Sequence, residues 1–322
     1  MDRRGFIGGA GGFAASTILA GHARGQSGPI RIIYPFAPGG AGDALVRILA
    51  ERIGVAFNET AIVENRTGGD GRIGLRAVKT APPDGRTLLF TPFGPIVTHP
   101  SVYANLPYDT FNDFAPISRL VTLDFAIATG PQTGAWTLAE LIGWLKANPG
   151  KASYGIPGAG TVPHFLGAQF GVVTGIDMRV VTYKGTTPAM ADVIGGQIPC
   201  VVAPISDLLE QHRAGAIRIV GVAGETRSPF AADVPTLREG GVDLVGQGWY
   251  GLYAPAGTPA DIIAKTSAVA RETLLSEQGR ARMAQLGFVP VAGSPEDLAA
   301  TQRRDFAFWA PAIKASGFKA EE

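Results

Sequence analysis

One unit keeps returning along this 322-residue chain, and it restricts the fold more than any other feature: a short apolar strand, a glycine- or threonine-bearing loop, then an amphipathic helix. The first instance is the strand 30–34, the loop Pro35-Phe36-Ala37-Pro38-Gly39-Gly40-Ala41-Gly42-Asp43, and a helix whose Leu45, Ile48, Leu49 and Ile53 share one face, with Arg47 and Glu51 spaced to pair on another. Residues 152–164 repeat it, and units at 178–194 and 198–213 follow, with helix starts signalled by Thr161, by Thr187 before Pro188, and by Ser206. A strand at 61–63, a glycine loop, a helix near 73–79, the turn Pro82-Pro83-Asp84-Gly85 and a strand at 87–91 complete a first lobe. Strand–helix alternation of this kind predicts an α/β protein with largely parallel sheets.

The length fits about two domains, and 46% hydrophobic with 17% charged residues is a globular balance. Residues 92–116, rich in proline and aromatics, read as a crossing between lobes before an apolar run at 120–129. Thr137 caps a helix that ends at Asn148-Pro149-Gly150. The strand 217–222 leads back, and two long helices close the chain, one from Pro259 with Ile262, Ile263, Val269 and Leu274 as core candidates, the other from Ser294. The expected plan is a lobe built from 26–118 and 224–322, a second lobe at 119–223 inserted in it, and a two-crossing hinge between them.

The first loop is an anion trap made of backbone. Glycines let successive N–H groups turn inward, and the helix behind adds unpaired donors and its positive dipole end, so a carboxylate or phosphate can be held without a basic side chain. Asp43 alone is most simply an N-cap; three glycines in four positions are harder to account for without a close approach. Around Gly158, Ala159, Gly160 and Thr161 the argument repeats, with Thr161 able to cap the helix and offer its hydroxyl, and with His164 one turn in as a neutral donor or a packed structural group. Lys184 follows a strand and precedes a helix, where α/β folds bind ligands. Gly69-Asp70-Gly71-Arg72-Ile73-Gly74 matches a dinucleotide fingerprint, but no acidic residue closes a second strand about 20 positions on. It reads as another backbone loop facing the cleft, with Arg72 at its rim.

A net charge of +1 without a lysine–arginine cluster gives no footprint for nucleic acid or an anionic membrane. No nucleophile elbow, P-loop or H-E-x-x-H occurs, the four histidines are scattered, and Cys200, the single cysteine, excludes an intramolecular disulfide and a thiolate cluster. No metal or cofactor is expected. Arg3-Arg4-Gly5-Phe6-Ile7, a weakly apolar stretch and small residues at Ala20, Gly21, Ala23 and Gly25 look like a twin-arginine export signal over 1–25, giving a periplasmic product.

Taken in order, Tyr34-Pro35-Phe36-Ala37-Pro38-Gly39-Gly40, Val63-Glu64-Asn65-Arg66, Asp113-Phe114-Ala115-Pro116-Ile117, Tyr183-Lys184-Gly185, Gly195-Gly196-Gln197 and Ala254-Pro255-Ala256-Gly257-Thr258-Pro259 resemble the Bug family, the substrate-binding receptors of tripartite tricarboxylate transporters. The resemblance covers essentially the whole mature chain. It implies a type II periplasmic-binding-protein-like fold whose two α/β lobes close on a small organic acid, held largely by backbone groups and water between loops 36–43 and 158–164, and handed to a two-component membrane permease by a monomeric receptor. The candidate ligand-binding residues are Phe36, Ala37, Gly39, Gly40, Ala41, Gly42, Asp43, Gly94, Gly158, Ala159, Gly160, Thr161, His164, Lys184 and Asp207. Two departures from relatives stand out: Arg72 places a cation near the cleft, and Ile156 replaces a common serine, which favours an aromatic or otherwise apolar acid. An exported hydrolase acting on an acidic substrate and a ligand-presenting sensory receptor are the alternatives.

Overall fold

The computed structural model describes residues 28–183, 185–315 and 318. The export signal and Lys184 lie outside the described residues. In chain order the first elements are β1 (Ile30–Tyr34), α1 (Ala41–Phe57), β2 (Ala61–Asn65), α2 (Arg72–Lys79), β3 (Thr87–Pro92), α3 (Phe93–Val97), α4 (His99–Val102) and β4 (Phe114–Thr129). Then come α5 (Leu138–Ala147), β5 (Ser153–Ile156), α6 (Val162–Thr174), β6 (Arg179–Thr182), α7 (Thr186–Ile194), β7 (Cys200–Pro204), α8 (Ile205–Arg213), β8 (Arg218–Val222) and β9 (Gln247–Pro255). The chain closes with α9 (Ala260–Leu275), α10 (Glu277–Gln285), β10 (Val289–Pro290) and α11 (Pro295–Ala315).

Two sheets share one strand. The first has the order β2-β1-β3-β9-β4-β10 and the second β8-β4-β7-β5-β6, because β4 pairs with β9 as far as Asp124 and with β7 from Phe125 onward. Residues 93–102 do not cross between lobes as expected; they form α3 and α4, and the passage between sheets is made inside β4. β1 is buried on both faces, as a strand flanked by helices on either side must be. Leu45, Leu49 and Ile53 of α1 pack on it as their spacing predicted, and Ile48 is half-buried.

Strand direction decides where the helices begin. β1, β2 and β3 run parallel, and both β3 and β4 are antiparallel to β9, so all four point along β4 toward the second sheet. β7 is antiparallel to β4, and β5 and β6 are parallel to β7, so these three point back toward the first sheet. The carboxyl ends of both strand sets therefore face one junction.

One hydrophobic cluster runs across that junction on one side, joining Ile33, Leu89 and Phe93 to Tyr154, Phe165 and Leu166 through Trp249 and Trp309. Several local expectations are corrected. Arg47 pairs with Asp43, not Glu51. α7 starts at Thr186 with its N-cap at Gly185, and α8 at Ile205 with its N-cap at Pro204, in each case two residues earlier than Thr187 and Ser206 indicated. The chain closes with three helices instead of two, and β9 was not expected at all. In α9 only Leu274 of the four core candidates is fully buried; Ile262, Ile263 and Val269 are half-buried.

Candidate functional site

α1, α3, α6, α7 and α8 each follow a strand whose carboxyl end faces the junction, so five helix N-termini lie on the junction side of their sheets. Each brings backbone donors without intrahelical acceptors and roughly half a positive charge. A cleft of about 580 Å3 lies there, with Gly39, Gly40 and Ala41 on one wall and Ser206, Asp207 and Glu210 on the other. A larger groove of about 820 Å3 lies between α1, α9 and α10, but no strand end opens into it, and the site is assigned to the junction.

In the first loop Gly39 has φ 98, a left-handed conformation that favours glycine. Gly40 is the N-cap, with φ −84 and ψ 175, and no atom lies within 4 Å of where a side chain would start. The first helical bond closes from Ala44 N–H to Gly40 C=O (3.1 Å), which leaves the N–H groups of Ala41, Gly42 and Asp43 without intrahelical acceptors. Ala37, Gly39 and Gly40 are exposed. Phe36 is half-buried with its ring against Tyr34 (5.8 Å), and its carbonyl accepts from Asn65 Nδ2 (3.0 Å). Gly42 has a different reason to be small: a methyl there would meet the Tyr34 and Tyr250 hydroxyls at 2.6 and 2.8 Å.

Asp43 is not the N-cap. It sits at the third helical position, buried, accepting from Gly39 N–H (3.2 Å), Asn65 Nδ2 (3.1 Å) and Arg47 Nε and Nη2 (2.9 and 3.1 Å). It ties the loop to its own helix. The Arg47 bond chiefly, helped by Asn65 and the Gly39 amide, holds its carboxyl below the usual carboxylate range. A lowered folded value means that the tether's stabilisation is complete above the unfolded carboxyl pKa, near 4, and disappears as pH falls through the lowered folded value. In thermal unfolding measured against pH, Asp43→Asn is therefore expected to melt below the parent chain at neutral pH and to converge with it in acid. A constant gap across that range would assign the tether no charge component.

The second loop is held by its own side chains. Gly160 has φ 69, and its N–H donates to His164 Nδ1 (3.1 Å), so that nitrogen accepts and the neutral ring carries its proton on Nε2, from which it donates. His164 is buried, stacked on Phe165 (5.1 Å) and met edge-on by Phe318 (4.7 Å); burial lowers its pKa and keeps it neutral. Thr161 occupies the N-cap without capping by its side chain: its hydroxyl donates to Gly158 C=O (2.7 Å). Gly158 is half-buried and Ala159 exposed. Ile156 is fully buried in the hydrophobic core, so its exchange for serine does not act by lining the cleft.

Gly94 is in the first turn of α3, where the nearest atom to a side chain would be Thr98 Oγ1 at 3.8 Å. Asp207, in the first turn of α8, is exposed and accepts from the Thr186 hydroxyl (2.6 Å) and from Ser206 Oγ (3.3 Å). The structure adds residues that the sequence reading passed over. Tyr250 stacks on Phe90 (5.0 Å) beside Tyr34, with its phenol pushed up by burial and by the charges of Tyr34 and Asp207. Gly287 reaches across to α8, where a side chain would start 2.5 Å from Ser206 Cβ. The glycine between Leu286 and Phe288 was the signal in the sequence for that contact, and its φ of 73 is a left-handed conformation that favours glycine.

A family model described as the tripartite tricarboxylate transporter family receptor matches residues 45–318. Protein BugT of Bordetella pertussis is 30% identical over 293 residues, 90% of each chain. Among solved structures, R. palustris Rpa4515 with adipate superposes with a TM-score of 0.81 at 27% identity, covering 90% of this chain and 98% of its own. The periplasmic binding protein BugD gives 0.77 at 31% identity, covering 91% and 99%.

Proposed function

The chain belongs to the tripartite tricarboxylate transporter receptor family, whose members are periplasmic binding proteins and not an enzyme class, and from that premise we propose that it captures a small mono- or dicarboxylic acid, aromatic acids included, between two lobes. The lobes divide within β4, the first running to Asp124 and resuming after β8, the second running from Phe125 through β8, and they close about the crossings between them; the exported, monomeric receptor then presents the acid to a two-component membrane permease. The observation that carries this reading is a cleft that the N-termini of α1 and α8 line from opposite sides, with Gly40 left open beside three backbone donors that have no intrahelical acceptor. The adipate bound by a relative of the same fold supports the ligand class.

Each helix-end contact contributes about 0.3–2 kcal/mol, so affinity comes from several donors acting together in a site that loses water on closing. A thermal-shift screen of mono-, di- and aromatic carboxylates tests the reading. At a concentration 100 times its Kd the right acid adds about 2.7 kcal/mol of stability, a rise of several degrees in Tm. Stabilisation by a nucleotide and by no acid would overturn the assignment. Recovery of the acid unchanged after prolonged incubation separates a receptor from a hydrolase.

A further inference from the structure

We propose that the chain carries a second small-molecule site, at the end of the second sheet away from the junction, where Trp136 and Arg218 take a planar aromatic carboxylate. A cavity of about 190 Å3 lies there, lined by Thr129, the loop from it to Trp136, and His212, Ile217 and Arg218. Thr129 is the last residue of β4; it pairs with Cys200, the first residue of β7, and with Arg218, the first of β8. Because β7 carries its carboxyl end to the junction, these three residues mark the opposite edge of the sheet. The cavity shares no lining residue with the cleft, so the two sites are separate.

The charge at this edge is unanswered by the protein. Arg218 is half-buried with its Nε sealed from solvent, and among the described residues no acceptor bonds its nitrogens and no carboxylate lies within ion-pair distance. A half-buried cation in that condition calls for an anion. Its guanidinium lies 5.6 Å from the centroid of the Trp136 ring, and that indole is 69% exposed, so aromatic surface is available beside the charge. His212 Nδ1 accepts from Ile219 N–H (3.3 Å), which leaves the proton on Nε2 as a further donor; burial and the Arg218 charge keep the ring neutral against the pull of Asp233. The walls are fixed in advance. Trp136 N–H donates to Glu140 Oε2 (2.7 Å) beside the cap of α5, and Thr129 Oγ1 meets Thr133 Oγ1 (2.7 Å) and Pro199 C=O (2.8 Å). Gly134 and Gly215 have nothing within 4 Å of where a side chain would start, which keeps the space open. A cavity below the roughly 300 Å3 of ordinary ligand sites admits a single ring. The planar fork of Arg218 suits the carboxylate, and the indole suits the flat ring that bears it.

The four tryptophan indoles of the isotopically labelled chain read this site apart from the cleft, with Trp136→Phe identifying the Trp136 resonance. Titration with benzoate is expected to move the Trp136 indole saturably, in the parent and equally in Gly40→Val, whose cleft is obstructed. Arg218→Gln should weaken that affinity about tenfold or more. Arg218→Lys, which keeps the charge and loses the fork, should fall between. Cyclohexanecarboxylate has the same charge and no flat ring, and should bind about threefold or more weakly. A Trp136 indole that benzoate leaves in place would overturn the assignment, as would loss of its response in Gly40→Val or an unchanged response in Arg218→Gln. So would an equal shift with cyclohexanecarboxylate, or with sodium chloride at the same ionic strength. The carboxylate reading of the cleft stands or falls separately, on the amides of Ala41 and Gly42.

Discussion

Gly40→Val is expected to abolish carboxylate binding, a loss of about a hundredfold or more, roughly 2.7 kcal/mol, while leaving the fold intact. The backbone at Gly40 is extended, at φ −84 and ψ 175, which a β-branched residue adopts without strain. Nothing in the protein lies within 4 Å of where the new Cβ would stand, so the side chain starts in open space. The cost to the unliganded chain is that of a poorer N-cap, about 1 kcal/mol or less. The isopropyl group instead fills the approach to the N–H groups of Ala41 and Gly42. Calorimetry with the acid that gives the largest thermal shift, alongside urea unfolding of the free variant, separates the two effects. Unchanged affinity would reduce the glycine loop to a strand–helix connector.

The largest loss of stability is expected at Trp249, one residue from Tyr250 but on the opposite face of β9. Its indole is buried, meets Phe93 edge-on at 5.6 Å, and donates from Nε1 to Asp305 of α11 (2.9 Å). It thereby fastens α11 to the first sheet inside the cluster that spans the junction. Trp249→Ala removes that packing and deprives Asp305 of its buried partner, for a cost of about 3–5 kcal/mol. Trp249→Phe keeps part of the ring and loses the hydrogen bond, so it falls between. Urea midpoints measure both. Binding per folded molecule is expected to survive in each, because Trp249 faces away from α1; a variant that stays folded but cannot bind would move the functional junction to the α11 side.

What was legible in the sequence was whatever depends on local pattern. The strand 30–34, its glycine loop and the helix behind it follow from an apolar strand, three glycines and a 3.6-residue stripe; the structure keeps the strand and the stripe and starts the helix at Ala41, inside the loop as read to Asp43. β9 escaped because Gly248 and Gly251 break its apolar run and read as loop residues. The structure gives their reason: a side chain at Gly248 would start 2.9 Å from Phe125, and one at Gly251 2.8 Å from Tyr253. α10 escaped because only Gly279 and Met283 are buried in it, too few to mark an apolar stripe. The passage between sheets gave no linker signal, since β4 is apolar through both halves and stays a strand across the change of partners.

At the site, residue types were readable and their partners were not. Arg47 has an acid four residues away on either side, and spacing alone could not choose between them. Asp43 wins because it also collects the Gly39 amide and Asn65, which lies 22 positions along the chain. Which nitrogen of His164 accepts and which carries the proton turned on a single ring orientation toward Gly160. Tyr34 and Tyr250 come together only once β9 is in the sheet, so neither suggested that Gly42 had to be glycine for packing.

The central claim is that backbone amides at the start of α1 hold the acid, and amide NMR on the isotopically labelled chain reads those groups individually. Titration with the bound carboxylate is predicted to shift the Ala41 and Gly42 amide resonances strongly, with Gly40 following and the far end of α1 near Phe57 unmoved. An acid that saturates the protein while those amides stay in place would contradict the account.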